Sequence, residues 1–314
     1  MMEHVKSVLL ALLVAASLLQ SYMLVYNEPK FDTIIPTDYV ETELSGEQKE
    51  LSALLFPKDI VLHLENGEHA VLYPGMVFYQ MILELTGQRT FEGIRIAGSD
   101  AEAAGYGEGN GFGIEIRYEE ELPLSLLKQT INLRSDEGLD EIFVDRIHIF
   151  TLSGQDEVRV FFTASSGNVK FEATNADLTV KDVERFVGFG ESLPRYVQVQ
   201  GGHYLPAKPL FMMEYRYGFR KLTADQLQRS LFPDPHKTRN LTERDGSQIY
   251  TDGKRGLQLS EEHFWMNYMD PGASVEGNQK PLDTAMAAVQ FVNRQGGWDG
   301  TYALESFRTD ANSS

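Results

Sequence analysis

No cysteine occurs among the 314 residues. That excludes a disulfide, a thiolate nucleophile, a cysteine zinc site and a lipidated N-terminal cysteine. The stability of an exported part must then come from packing alone, which suits a bacterial envelope protein better than a small secreted scaffold. Basic residues are also scarce. Lys and Arg number 28 against 46 Asp and Glu, a net charge of −18. Nucleic acid needs a basic footprint, and anionic lipid or wall polymer would repel such a surface, so the balance argues against both as ligands.

The motifs that carry chemistry are missing too. The glycine run from Gly105 to Gly113 holds no Gly-x-Gly-x-x-Gly and no Gly-Lys-Ser/Thr. It leads into a predicted strand, whereas a phosphate cradle needs a helix N-terminus, so it reads as a mobile loop. There is no His-Glu-x-x-His. His63, His69, His148, His203, His236 and His263 are scattered, with His63 and His69 on either side of a predicted hairpin turn. Arg146 and His148 share one face of a predicted strand, read as solvated. Ser125-Leu126-Leu127-Lys128 has the Ser-x-x-Lys form of a penicillin-binding nucleophile, without its Ser-Asp-Asn and Lys-Thr-Gly companions. Asp245-Gly246 and Asp252-Gly253 read as turns, lacking the further acids of a calcium loop. The sequence therefore offers no catalytic, cofactor-binding or metal residues.

What it does offer begins at the N-terminus. Residues 7–27 carry no charge between Lys6 and Glu28. At roughly 1.5 Å per residue they match a bilayer core about 30 Å thick, which only a helix crosses as a single segment. The competing reading is a cleaved signal peptide with Ala15-Ala16-Ser17 as its small-residue site. The apolar run continues to Tyr26, however, beyond the roughly 7–15 residues of a signal core. A transmembrane anchor is expected, with residues 1–6 cytoplasmic and the bulk extracytoplasmic, because His4 and Lys6 precede the span. At about 100° per residue, Ser7, Ala11, Ala15 and Ser21 fall in a stripe about 120° wide, where small side chains let another helix approach. Gln20 lies on a different face and is placed to hydrogen-bond a neighbouring helix.

Beyond a spacer at 28–44, Ser45-Gly46-Glu47-Gln48 has the form of a capping box ahead of a short helix that stops before Pro57. Strands at 59–64 and 69–73 flank Glu65-Asn66-Gly67-Glu68, a strong hairpin signal. A helix follows at 75–85, then strands at 112–118, 141–151, 157–164 and 169–174, and a helix at 180–187 capped by Thr179 with Asp182. Gly190-Glu191-Ser192-Leu193-Pro194 reads as a boundary. After it come strands at 196–200 and 210–217, a helix capped by Thr223 with Gln226, and strands at 248–251, 255–259 and 264–269. Pro281 opens a helix with Leu282, Ala285, Met286, Val289 and Val292 on one face, and a last strand is expected at 301–307. The expectation is an α+β protein with largely antiparallel sheets. Its exported part would comprise a first domain at 45–190, a second at 195–275, and the helix-strand start of a third unit at 280–314.

Two stretches go further. Residues 230–239, Ser-Leu-Phe-Pro-Asp-Pro-His-Lys-Thr-Arg, and 249–258, Ile-Tyr-Thr-Asp-Gly-Lys-Arg-Gly-Leu-Gln, strongly resemble the YycH (WalH) family. Residues 3–10 and 290–298, ending in Gly296-Gly297-Trp298, are similar to it as well. The resemblance implies a non-enzymatic, single-pass regulator of the WalK–WalR (YycG–YycF) two-component system. Such a regulator acts with YycI and the sensor kinase WalK through membrane helices and extracytoplasmic domains to tune cell-wall metabolism. Family members usually continue into a further α/β domain similar to YycI, so the third unit is expected to be cut short. The competing class is an envelope enzyme or wall-ligand binder with its site between the two domains, and a cleft of convergent polar groups would discriminate it.

Overall fold

The structure, a computed structural model, describes residues 6, 13, 14, 16, 17, 19, 20, 46–64, 67–97, 111–135, 137–152, 156–165, 170–200, 202–211, 222–261, 265–272 and 280–307. The chain forms two compact units, one of residues 43–222 with 270–314 and the other of residues 1–42 with 223–269.

The larger unit is built on a ten-stranded sheet. β1 (Asp59–His63) and β2 (His69–Leu72) form the expected hairpin, pairing Ile60 with Leu72 and His63 with His69. α1 (Val77–Gly87) follows, then β3 (Thr90–Ile96) and the long β4 (Gly111–Pro123). After the short α2 (Leu124–Leu127) come β5 (Asn132–Arg134), β6 (Phe143–Leu152), β7 (Val158–Thr163) and β8 (Lys170–Ala176). α3 (Val180–Gly188) precedes a hairpin of β9 (Tyr196–Val199) and β10 (His203–Pro206). The order across the sheet is β10-β9-β2-β1-β4-β6-β7-β8-β3-β5, antiparallel except between β3 and β5. This is the α+β class with a largely antiparallel sheet that the strand pattern predicts.

One face carries the core. Ile60, Leu62, Leu72, Ile114, Ile116, Ile147, Ile149 and Phe162 are almost fully buried there, together with Ile82, Leu127 and Phe186 from the helices. Period-2 alternation puts these residues on one side, and Asp59, Val61, His63, Glu115 and Arg117 on the other. All five residues of β1 are nevertheless buried, so the second side is covered as well.

The smaller unit is a four-stranded antiparallel sheet packed on α4 (Ala224–Leu231). Its strands, in spatial order, are β11 (Arg239–Thr242), β12 (Gln248–Thr251), β13 (Gly256–Leu259) and β14 (Met266–Met269). Leu227, Leu231, Phe232, Tyr250, Leu257 and Leu259 are buried.

Several expectations meet a different arrangement. β9 and β10, expected to open a second domain, extend the large sheet through a bridge from Tyr196 to His69. α5 (Pro281–Arg294), expected to start a third unit, buries Ala285 and Val289 in the core of the large unit instead. The expected strand at 301–307 is irregular, although Leu304 donates its N–H to the Leu54 carbonyl at 2.8 Å. No capped helix starts near residue 48. Gly46 and Glu47 pair with the segment after α5, and only a 3-10 turn, Leu51–Leu54, follows. Residues 212–217 of a further expected strand lie outside the described residues, as do residues 98–110 of the glycine-rich loop.

Candidate functional site

Of the N-terminal residues expected to meet a partner helix, Gln20 is helical and exposed. Ser7, Ala11, Ala15 and Ser21 lie outside the described residues. Among the described residues no helix is long and apolar enough to cross a membrane.

The residues resembling known motifs build structure. Asp234 caps the 3-10 turn Pro235–Lys237 by accepting the His236 N–H at 3.2 Å, and Thr238 Oγ1 donates to Gln228 Oε1 at 2.7 Å. Asp252 Oδ1 accepts the N–H groups of Lys254 and Arg255 at 2.8 and 2.7 Å, closing the turn between β12 and β13. After α5, Gly46 donates to the Gly296 carbonyl at 2.8 Å, and Glu47 and Trp298 exchange bonds of 2.8 and 2.9 Å. A Cβ on Gly46 would stand 2.4 Å from the Gly297 carbonyl carbon, and Gly297 has φ +80°, so both positions require glycine. Asn293 completes the clasp, accepting from the Lys49 amide and the Trp298 indole and donating to the Lys49 carbonyl. Ser125 is buried within α2 and Lys128 is paired with Asp140, so this Ser-x-x-Lys holds no exposed nucleophile.

Among the described residues, a dense arrangement of ionisable groups lies on the covered face of the large sheet. β1, β4 and β6 align Asp59, Arg117 and Arg146 in one row and Val61, Glu115 and His148 in the next. A third row holds His69 and His63. Arg117 grips Asp59 with two bonds of 2.6 and 2.7 Å and donates to the Gly202 carbonyl at 2.8 Å. Its guanidinium lies 5.0 Å from the centre of the Tyr204 ring. Tyr204 donates to Glu115 Oε2 at 3.3 Å and packs edge-on against His69, with ring centres 5.1 Å apart. The β9–β10 hairpin thus folds over the sheet and seals it. Arg146 and His148 do share a face, but His148 is buried and bonds Thr163 at 2.8 Å, so that face is not solvated.

At the centre His63 touches two partners. Its Nδ1 is 3.1 Å from His69 Nδ1, and its Nε2 is 3.3 Å from Glu115 Oε2. Burial, reinforced by nearby His63 and opposed by Glu115, lowers the His69 pKa to about 4. Burial alone would raise that of Glu115. The bond from His63 and the fields of His148, His63 and Arg117 overcome it and bring the carboxyl down to about 2. Burial works against the Arg117 charge, but bonding to Asp59 and the fields of Asp59 and Glu115 hold it above its ordinary range. Burial and the Glu115 carboxylate raise the Tyr204 phenol.

His63, His69, Glu115 and Tyr204 are each 9% exposed or less. A separate groove of about 510 Å³ lies beside α1, lined by Leu55, Pro57, Leu83, Ile116, Tyr118 and Ile131 among others, and it is mainly apolar. Among the described residues no His, Asp and Glu group is arranged to hold a metal ion. The sequence showed His63 and His69 flanking a turn but not Glu115, Arg117 or Tyr204. The available signal was the charged alternation in Ile114-Glu115-Ile116-Arg117.

Comparison with known proteins adds a second line. The family model described as "YycH protein, N-terminal domain" matches residues 3–186, and "YycH protein, C-terminal domain" matches residues 200–314. The chain is similar to the "Two-component system WalR/WalK regulatory protein YycH" of Bacillus subtilis (strain 168). It is 18% identical over 315 aligned positions, covering 96% of this chain and 69% of that protein. The crystal structure of YycH from Bacillus subtilis superposes with a TM-score of 0.64 at 16% identity, over 83% of this chain and 70% of that one.

Proposed function

The chain belongs to the YycH family, and on that premise we propose that it is a regulatory protein of a WalR/WalK-type two-component system. The observation that carries this reading is the match of both family domains across nearly all of its length, together with the curated relative of that role. In the proposed arrangement residues 7–27 form a single membrane anchor, and the acidic units stand outside the cell. The protein acts there without chemistry of its own, as an accessory of the WalK sensor kinase together with YycI. A neighbour tunes a kinase when it binds the active and inactive states with different free energy. About 1–3 kcal/mol of such coupling changes a population roughly 5- to 150-fold. One packed helix and an ectodomain contact are enough for that.

Co-purification from detergent-solubilised membranes tests the proposal. The wild-type chain is expected to bring down the kinase or YycI, and A11L/A15L to bring down less, because leucine holds the neighbouring helix away. Unchanged complex and unchanged signalling in the double variant would exclude the small-residue stripe as a contact. Protease added to intact protoplasts should remove the large acidic part, and its protection would exclude the proposed topology.

A further inference from the structure

We propose that the β9–β10 hairpin is a proton-operated flap, closed over the sheet while the His63–His69 pair holds no more than one added proton and lifted when both rings are charged. The hydrogen-bond geometry sets that capacity. With His63 Nε2 facing Glu115 Oε2, a neutral His63 donates there and leaves its Nδ1 bare to accept from His69 Nδ1. One added proton is accommodated. His63 then donates from both nitrogens, and His69 changes tautomer to accept. A second proton places two N–H groups, on two cations, against each other at 3.1 Å. No tautomer relieves that contact, and the rings must separate.

The surrounding charges act in the same direction. β1 contributes Asp59, β4 contributes Glu115 and Arg117, and β6 contributes Arg146, 3.7 Å from Glu115, while Asp145 has the opposite parity on β6 and is held by Ser165. Two carboxylates face two guanidiniums, so each added imidazolium leaves the face more positive, and the second is added against the first. β6 also supplies His148, bonded to Thr163, and the hairpin supplies the Tyr196 and Tyr204 phenols, both raised above their usual range by burial. Tyr204 is the moving part. Its ring rests on both histidines, with centres 5.1 and 6.1 Å away, and its hydroxyl bonds the carboxylate that His63 bonds. Among the described residues a single ladder position, His69 with Tyr196, joins the hairpin to β2, and its strand residue is one of the rings that must move.

The sign follows from His69, whose folded pKa of about 4 lies below its ordinary 6.5. Protons therefore favour the open form as pH falls from 6.5 to 4, by up to about 300-fold across that window. The absence of cysteine makes the motion measurable by paired nitroxide labels. Exposed Val199 on the hairpin and Arg95 on β3, both changed to Cys in the detergent-solubilised full chain, report the flap. Glu120→Cys with Arg95→Cys reports the sheet. The V199C/R95C distance is expected to lengthen and broaden between pH 7 and pH 4 while the reference distance holds. The change should vanish in His69→Gln, or in His69→Phe if that variant folds better, and persist in His148→Gln. An unchanged hairpin distance, parallel movement of the reference pair, persistence without His69 or loss without His148 would each overturn the proposal.

Discussion

Replacing Arg117 by Ala would leave Asp59, only 2% exposed, as a buried carboxylate without its two strongest bonds. Removing one partner of such a pair costs about 3–5 kcal/mol, more than forming it contributes, because the remaining charge stays desolvated. Urea denaturation of R117A should therefore show a loss of that size, and one below about 1 kcal/mol would mean that water reaches Asp59. Arg117 also shows where sequence reading ends. The alternation Glu115-Ile116-Arg117 declares one polar and one apolar face, and a polar face is ordinarily solvated. Its cover comes from Gly202 and Tyr204, with Gly202 separated from Arg117 by 85 positions, and nothing local announces that contact.

Elements whose signals are local were the legible ones. Thr179 and Asp182 form the reciprocal capping box at the start of α3, with bonds of 3.3 and 2.9 Å, and Thr223 and Gln226 repeat it on α4. The hairpin of β1 and β2 was equally plain, since its turn chemistry lies between its own strands. Thr179→Ala should cost about 1 kcal/mol, read as a lowered thermal midpoint. No change would mean that Arg89, bonded to Asp182 at 2.9 Å, holds the helix end alone. β3, β5, β10 and β11 went unread. β5 has three residues, and β3 is interrupted by Gly93 at φ +66°, where the strand breaks its alternation. Such strands owe their state to neighbours already in place, and propensity has little say in them.

The whole molecule should be acid-sensitive in two stages. Glu115, depressed from 4.5 to about 2, contributes stability that is complete above pH 4.5 and is lost as pH falls toward 2. The shift corresponds to about 3 kcal/mol, spent below the window in which His69 acts. Chemical denaturation at stepped pH should show this second limb, and Glu115→Gln should flatten it. At this scale the sequence conveyed class but not partition. The turn at 190–194 reads as a boundary, yet Tyr196 and Tyr204 bury their rings beyond it against Val61 and Val71. The apolar stripe of α5 was legible as one face, of which Ala285 and Val289 are buried and Met286 is exposed, while its partner, the core beside α2 and the Leu51–Leu54 turn, was invisible from either segment alone.

The crossing of Gly46 and Glu47 with Gly296 and Trp298 has a mechanical corollary. A tug travelling along the backbone from the N-terminal side arrives at Gly46 before β1, and there three main-chain bonds and the Asn293 amide route it into α5. The load is shared between two distant stretches of polypeptide, and the strands behind them are spared from unravelling one at a time.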